Sequence, residues 1–403
     1  MIYLDYAAAT PVSKKALDAM LPFFSDNFYN PSAIYYPAKE VRSLYEDAKA
    51  RIAHTIGAKG NDLIITSGAT EATNLAFTCI DAVKCCKNYN ISSETNISPK
   101  TNISPKALVL ETEHSSVLEV AKNFNADLIK VNKFGEIDLK DFEKKLSDDI
   151  ILVSISLVNN ELGTIQPFSE ISEIIKKARS DRLKRGIKTP LYLHTDASQA
   201  LNLLDVNISR LGVDLMTLNS AKIYGPKGIG ALYVNHDVRL TPVIFGGGQE
   251  NGLRSGTENV PAVIGFAAAT EEAKSHLSSS RKHFDSLKSL FVKQFENFPH
   301  EILFLGNKKS QLSNFIPVSF PGFDAERLIF KLEDEGIYVS TGAACAANKG
   351  KKSHVLAAIG LKDPEIAGSL RITMGSHTTQ DDILEAATAL KTALEEEYVR
   401  KNR

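Results

Sequence analysis

Lys222 is the residue of this sequence best suited to bond covalently to a carbonyl. It lies in Ser220-Ala221-Lys222-Ile223-Tyr224-Gly225-Pro226-Lys227-Gly228-Ile229-Gly230, just past the apolar run 215–218 and ahead of a glycine-rich turn. Lysine forms Schiff bases with carbonyl cofactors, although a lysine taken alone is most often a surface residue. Upstream, Asp196 ends another apolar run, within His194-Thr195-Asp196-Ala197-Ser198-Gln199. Open α/β sheets bind ligands at strand C-terminal ends. A carboxylate there can pair with a protonated pyridine nitrogen; a helix N-cap is the plainer reading of the same Asp.

Three further stretches have chemistry in reach. In Thr66-Ser67-Gly68-Ala69-Thr70-Glu71 a strand ends, small residues turn, and a helix starts near Thr70. Helix-start N–H groups with the Thr70 hydroxyl would hold a phosphate, while an ordinary capping turn has the same residues. The run Gly246-Gly247-Gly248-Gln249-Glu250-Asn251-Gly252-Leu253-Arg254-Ser255-Gly256-Thr257 contains five glycines and an arginine, which suits close approach to an anion and equally a flexible linker. In the stretch 340–354, Cys345 sits among tiny residues, followed by Lys349, Lys351 and Lys352. Nearby cations favour the thiolate, although most cysteines are buried and inert.

The elements that must position these residues read as an α/β chain. Short apolar runs at 63–66, 107–111, 151–158, 191–194 and 215–218 have the unbroken hydrophobicity of strands buried on both faces. Helical periodicity lies between them. Val41, Leu44, Ala48, Ile52 and Ile56 mark one face of a helix that stops at Gly57, and Ile171, Ile174 and Ile175 mark another within 169–186. The alternation predicts a mainly parallel sheet. After about residue 260 the pattern changes: a helix from 261 to roughly 277, strands at 316–320 and 337–340, then helices. A tandem Thr-Asn-Ile-Ser-Pro-Lys repeat at 95–106 reads as an expanded surface loop with no assigned function.

Composition narrows the classes. With 47 basic and 48 acidic residues in 403, the net charge of −1 gives no reason to expect nucleic-acid or membrane-surface binding. No basic-then-apolar N-terminal leader and no run of membrane-spanning length are present, so neither a signal peptide nor a membrane span is expected. Cys79, Cys85, Cys86 and Cys345 form neither a disulfide framework nor a zinc pattern. No metal site is expected, and the free thiols point to the cytoplasm.

Taken in order along the chain, these stretches resemble the cysteine desulfurases of the NifS/IscS type, class-V enzymes of pyridoxal-phosphate fold type I. The resemblance also rests on Tyr3-Leu4-Asp5-Tyr6-Ala7-Ala8-Ala9-Thr10-Pro11, Asn30-Pro31-Ser32, Glu113-His114-Ser115-Ser116-Val117-Leu118, Val158-Asn159-Asn160-Glu161-Leu162-Gly163 and Gly368-Ser369-Leu370-Arg371-Ile372, and so runs nearly end to end. It implies a large domain, residues 14–260, with a mainly parallel seven-stranded sheet. A small α+β domain would form from 1–13 and 261–403.

The resemblance also implies roles. Lys222 would be the Schiff-base lysine of pyridoxal 5′-phosphate and would move the Cα proton of the substrate, L-cysteine. Asp196 would hold the pyridinium nitrogen, Gln199 the ring phenolate oxygen, and His114 would stack on the ring and handle thiol protons. Ala69, Thr70 and Asn219 would lie at the phosphate, with Thr257 reaching it from the other subunit of a homodimer. Asn160 and Arg371 would bind the substrate, and Cys345 would accept its sulfur as a persulfide while alanine leaves. An iron-sulfur scaffold protein or a tRNA-thiolation protein would then take the sulfur. Against the family pattern, Ala221 stands where a His precedes the lysine, Asn219 where there is a Ser, Asn251 where the glycine-rich loop has an Arg, and Tyr35 where a His follows Asn-Pro-Ser. A selenocysteine lyase, a partner-dependent or degenerate sulfur-relay protein, and a class-V aminotransferase are the alternative readings.

Overall fold

The structure, a computed structural model, describes residues 1–88, 104–342 and 352–402, with side chains only to residue 83 in the first stretch. Most of the 95–106 repeat and all of the Cys345 stretch 343–351 therefore lie outside the described residues, as do the side chains of Cys85 and Cys86.

Thirteen strands occur among the described residues, numbered here in chain order. They are β1 (Ile2–Tyr3), β2 (Leu63–Thr66), β3 (Lys106–Leu110), β4 (Asp127–Ile129), β5 (Ile150–Ser154), β6 (Tyr192–Asp196), β7 (Leu215–Asn219), β8 (Gly230–Val234), β9 (Leu303–Phe304), β10 (Phe315–Ser319), β11 (Ile337–Tyr338), β12 (Ser340–Thr341) and β13 (Ser369–Thr373). Seven form the main sheet in the order β2-β8-β7-β6-β5-β3-β4. Neighbours from β7 through β4 are parallel, and β8 alone runs against both of its partners. The apolar runs read from the sequence are the central strands, because a parallel sheet covered by helices on both sides has no face to leave polar. Leu108 and Leu110 pack into one hydrophobic cluster while Ala107 and Val109 pack into the other, on the opposite face.

The larger cluster lies against the helices Tyr36–Thr55, Phe168–Lys184 and Val260–Lys293, and the smaller against Ala69–Asn88 and Ser115–Ala121. The larger one continues without a break into the second half of the chain, where β12-β13-β10-β9 form an antiparallel sheet. β1 pairs in parallel with β11, Ile2 beside Ile337, so the N-terminus is fastened to the C-terminal half.

Three sequence expectations change. The helix expected over 261–277 runs from Val260 to Lys293. Its Ser278-Ser279-Ser280 run looks like a terminus, yet Ser279 donates its hydroxyl to the His276 carbonyl at 3.0 Å and the helix continues. Leu44, expected inward, is 44% exposed; the buried face is Val41, Tyr45, Ala48 and Ile52. That set advances by 4, 3 and 4 residues, a better fit to 3.6 per turn than one through Leu44. The strand expected at 337–340 is two, β11 and β12, which pair with different partners. Close packing explains one glycine: a Cβ on Gly265 would lie 2.4 Å from Met20 Sδ, where the Lys14–Met20 helix crosses the long helix. Among the described residues no helix is long and apolar enough to cross a membrane.

Candidate active site

Parallel strands present their C-terminal ends along one edge, and the chemistry-bearing residues gather there. Gly68 and Ala69 follow β2, His114 follows β3, Asn159 and Asn160 follow β5, Asp196 ends β6 and Lys222 follows β7. β4 and β5 lie on opposite sides of β3, so the order reverses at this edge, where open sheets form a ligand crevice.

Lys222 closes a single 3₁₀ turn, Ser220–Lys222, started by Asn219, whose Oδ1 accepts the Ala221 N–H at 3.1 Å. The Lys222 ammonium donates to the Ala8 carbonyl, and Gln199 Nε2 donates to the Ala7 carbonyl at 2.9 Å. Thr10 then pins the turn, donating its hydroxyl to the Ala221 carbonyl at 3.1 Å and accepting the Tyr224 N–H at 2.8 Å. Residues 7–10 are thus a strap across the strand ends that holds Lys222 and Gln199 together.

Asp196 is 9% exposed, and its Oδ1 accepts the Ser198 N–H at 2.9 Å. Beneath it, the His194 ring joins Ser154 Oγ (2.8 Å) to Thr217 Oγ1 (3.0 Å), and Thr217 reaches Thr73 Oγ1 (3.3 Å) on the Ala69–Asn88 helix. Burial pushes the His194 pKa down to about 3, so the ring is a neutral tie among β5, β6 and β7. His114 caps the Ser115–Ala121 helix, its Nδ1 accepting the Ser116 N–H at 3.1 Å. The proton of the neutral ring is therefore on Nε2. Burial lowers the His114 pKa; Asp196 opposes this, while Lys222, His354 and Arg371 add to it. Those four groups are within electrostatic reach of one imidazole.

The Ala69–Asn88 helix begins with N–H groups that have no intrahelical partners, as any helix start does. Thr70 is exposed, and a Cβ on Gly68 (φ 148°) would meet no atom within 4 Å, so the space before the helix is open. Glu71 does not fill it: its carboxylate accepts from the Ser67 N–H (2.7 Å) and from Arg254 Nε (3.0 Å), which ties the glycine-rich loop to the helix start. β8 approaches closely because Gly230 has no side chain; a Cβ there would lie 2.8 Å from Gly68 Cα.

Arg371, on β13, is 4% exposed. Its Nη2 donates to Asp5 Oδ1 (2.6 Å), its Nη1 to the Asn160 carbonyl (3.0 Å), and its buried Nε finds no partner among the described residues. A guanidinium has five N–H groups in a fixed fork, so three are not used by these two bonds. The open cradle at Gly68, the orphaned Nε, the orphaned buried hydroxyl of Ser198 and the carboxylate of Asp196 form a donor set that fits pyridoxal phosphate bearing an amino acid.

Lys222, Asp196, Gln199, His114, Asn160 and Arg371 are brought to one edge. Thr257 is exposed beyond Gly256, while Cys345 is outside the described residues. Asp5, the 7–10 strap, Glu113 and Glu161 stand within motifs quoted above, but no spacing rule assigned them a part.

Glu113 is fully buried, with Oε1 accepting the Ser156 N–H and Oε2 unpartnered among the described residues. Burial, and to a smaller extent Asp196, push its pKa up to about 8, against the lowering effect of the Ser156 bonds. An unfolded chain ionises this group at ~4.3, so stability falls as pH rises from there to about 8, by a few kcal/mol at most. For Glu113→Gln, the difference in melting temperature from wild type should move in the variant's favour between about pH 5 and about pH 8 and stay constant in acid. Thermal unfolding across that range checks it; a constant difference would show that Glu113 is ionised in the fold.

The aminotransferase class-V family model matches residues 2–385. The cysteine desulfurase IscS 1 of Archaeoglobus fulgidus is 37% identical, covering 95% of this chain and 94% of that one. The cysteine desulfurase IscS of Dictyoglomus turgidum is 36% identical over 95% of this chain and 91% of its own. Among solved structures, a NifS-like protein superimposes with a TM-score of 0.86 at 30% identity, covering 98% of this chain and 99% of that one. With matches along nearly its whole length, in sequence and in fold, the chain belongs to the class-V aminotransferase family.

Proposed function

We propose that this chain takes the sulfur of free L-cysteine, releases L-alanine and holds the sulfur as a persulfide on Cys345. It is a pyridoxal-phosphate-dependent enzyme and a cysteine desulfurase, the latter being the name of its relatives of 37% and 36% identity. One observation supports the assignment of roles above the rest: Asp196, Lys222 and Arg371, far apart in sequence, lie within electrostatic reach of the His114 imidazole. When bound, the cofactor stabilises the electron pair left at Cα after deprotonation. Asp196 keeps the ring nitrogen protonated, and Gln199 bonds the phenolate oxygen. The helix start at Ala69 and Thr70 holds the phosphate, with Asn219 beside it and Thr257 reaching it from a partner subunit. Arg371 and Asn160 orient the substrate carboxylate, and Lys222 moves the Cα proton. His114, neutral with its proton on Nε2, serves the substrate thiol.

The thiolate of Cys345 attacks the substrate sulfur. The carbon–sulfur bond breaks as the sulfur–sulfur bond forms, and Cβ keeps the electron pair, takes a proton and leaves in alanine. The nearest acceptor chemistry is an iron-sulfur scaffold protein or a tRNA-thiolation protein, in the cytoplasm. A homodimer fits the exposed apolar residues Phe24, Phe28, Ile34, Tyr36 and Phe245. Segments beside them meet, since Ser32 and Gly247 to Gln249 line one cleft of about 350 Å³. Residues 14–260 form the cofactor-binding unit, and 1–13 with 261–403 the unit that carries the acceptor cysteine.

The test is purified, cofactor-loaded protein given L-cysteine and a reductant, with Cys345→Ala alongside. Equal sulfide and alanine from wild type, lost in the variant, are expected. Turnover of selenocysteine but not cysteine by wild type, or full cysteine turnover by Cys345→Ala, would overturn the reading.

A further inference from the structure

The turn that carries Asn160 also carries a buried acid which the chemistry above does not use. Glu161 is 5% exposed, and its backbone is set independently of its side chain. Asn159 Oδ1 accepts the N–H groups of Glu161 and Leu162, both at 2.9 Å, while Asn159 Nδ2 donates to the Thr112 carbonyl at 2.9 Å. The Glu161 carboxyl points to two residues remote in sequence. Its Oε2 accepts the Ser353 hydroxyl at 2.6 Å, and Ser353 Oγ accepts the Leu356 N–H at 3.1 Å. A Cβ on Gly342 would lie 2.8 Å from the same Oε2. One buried oxygen therefore bonds residue 353 and leaves no room for a Cβ at residue 342, and these two residues flank the stretch containing Cys345.

We propose that Glu161 is a positioning residue that fixes the two ends of the Cys345 stretch relative to the substrate clamp. The inference rests on the reading of Cys345 as sulfur acceptor. Sulfur transfer needs the acceptor sulfur in line with the substrate sulfur, and misplacement of reacting atoms by about 1 Å can cost two orders of magnitude in rate. The Asn160 carbonyl, one residue before Glu161, holds Arg371 at 3.0 Å, so one turn sets the clamp on one side and the ends of the acceptor stretch on the other. Burial pushes the Glu161 pKa up to about 7, against the lowering effects of the Ser353 bond and of Arg371. A buried carboxyl is costly, and an apolar residue could fill the volume but could not accept from Ser353.

The test is a double-mutant cycle on full-length, cofactor-loaded protein, reading persulfide on Cys345 in a single turnover together with kcat and KM. Glu161→Ala should slow persulfide formation about tenfold, with KM for cysteine and the absorbance change on cysteine binding kept within about twofold. Glu161→Gln, whose amide oxygen still accepts from Ser353, should stay near wild type. The backbone at Gly342 is outside the left-handed region, so Gly342→Ala is open to alanine except for the collision with Glu161. It should slow the same step, and the double variant should be no slower than Glu161→Ala alone. Additive losses, an unchanged rate in Glu161→Ala, or losses in KM and melting temperature without coupling would each overturn the inference. Cys345→Ala separates the two failures: if that variant still transfers sulfur, the acceptor reading falls. If it is dead while Glu161→Ala matches wild type, only the role of Glu161 falls.

Discussion

Lys222→Ala is expected to lower cysteine turnover by about a thousandfold or more, the combined loss of covalent attachment and of a positioned proton carrier. The structure shows why the loss should be chemical. The Lys222 ammonium has the Ala8 carbonyl as a partner, and losing one such bond costs about 1 kcal/mol. The strap stays fastened at Gln199, which donates to Ala7, and at Thr10, which donates to Ala221. The turn itself is held by Asn219, whose bond to the Ala221 N–H does not involve the lysine side chain. Melting temperature should therefore change by only a few degrees while sulfide and alanine release both vanish. Lys222→Arg sharpens the comparison, since it keeps a cation able to reach Ala8 but cannot form the Schiff base. It too should be inactive, and the covalent absorbance band of the wild type should be missing from both variants. Substantial turnover by either variant would remove Lys222 from the chemistry.

What could be seen in the sequence was what local rules encode. The central strands were legible because strands buried on both faces must be apolar at every position. Lys222 and Asp196 stood out because each falls directly after such a run. The features that escaped are joined over long separations. The strap meets Lys222 across 214 residues, and Asp5 meets Arg371 across 366. No periodicity connects Ala8 to a lysine that far downstream. β8 escaped for a different reason: it opens on a glycine needed for close approach to Gly68, and glycine is read as a breaker of strands. Glu161 was visible only as one letter of a motif, because a buried acid draws its meaning from Ser353 and Gly342, which the fold supplies.

The departures from the family pattern acquire a local account. Asn219 stands where a serine is usual, and it starts the turn through its own side-chain oxygen, a task an Asx residue performs well. Ala221, in place of a histidine, contributes only backbone to the site: its N–H to Asn219 and its carbonyl to Thr10. The frame that presents Lys222 is therefore complete without the histidine.

Arg371 should give the second largest effect, and its two functions can be told apart. Arg371 is 4% exposed and paired with Asp5, whose side chain is 17% exposed. Arg371→Met leaves that carboxylate nearly buried and alone, which costs about 3–5 kcal/mol when one partner of a buried pair is removed. It also removes the fork that would hold the substrate carboxylate. Charge-assisted hydrogen bonds contribute about 1.5–3 kcal/mol, so KM for cysteine should rise by roughly one to two orders of magnitude. Arg371→Lys keeps the charge near Asp5 but not the fork geometry. It should recover most of the stability and little of the affinity. Asp5→Asn combined with Arg371→Met should likewise restore folding, by relieving the stranded charge, without restoring KM. Thermal unfolding and steady-state kinetics on these variants, with cysteamine as a thiol that has no carboxylate, give the decisive comparison. Cysteine binding should weaken in every variant lacking the arginine, while cysteamine binding, read as the absorbance change of the cofactor, should be unaffected. If cysteamine binding weakens as much as cysteine binding, Arg371 shapes the site as a whole rather than gripping the carboxylate. The Asp5 pairing would then be its principal work.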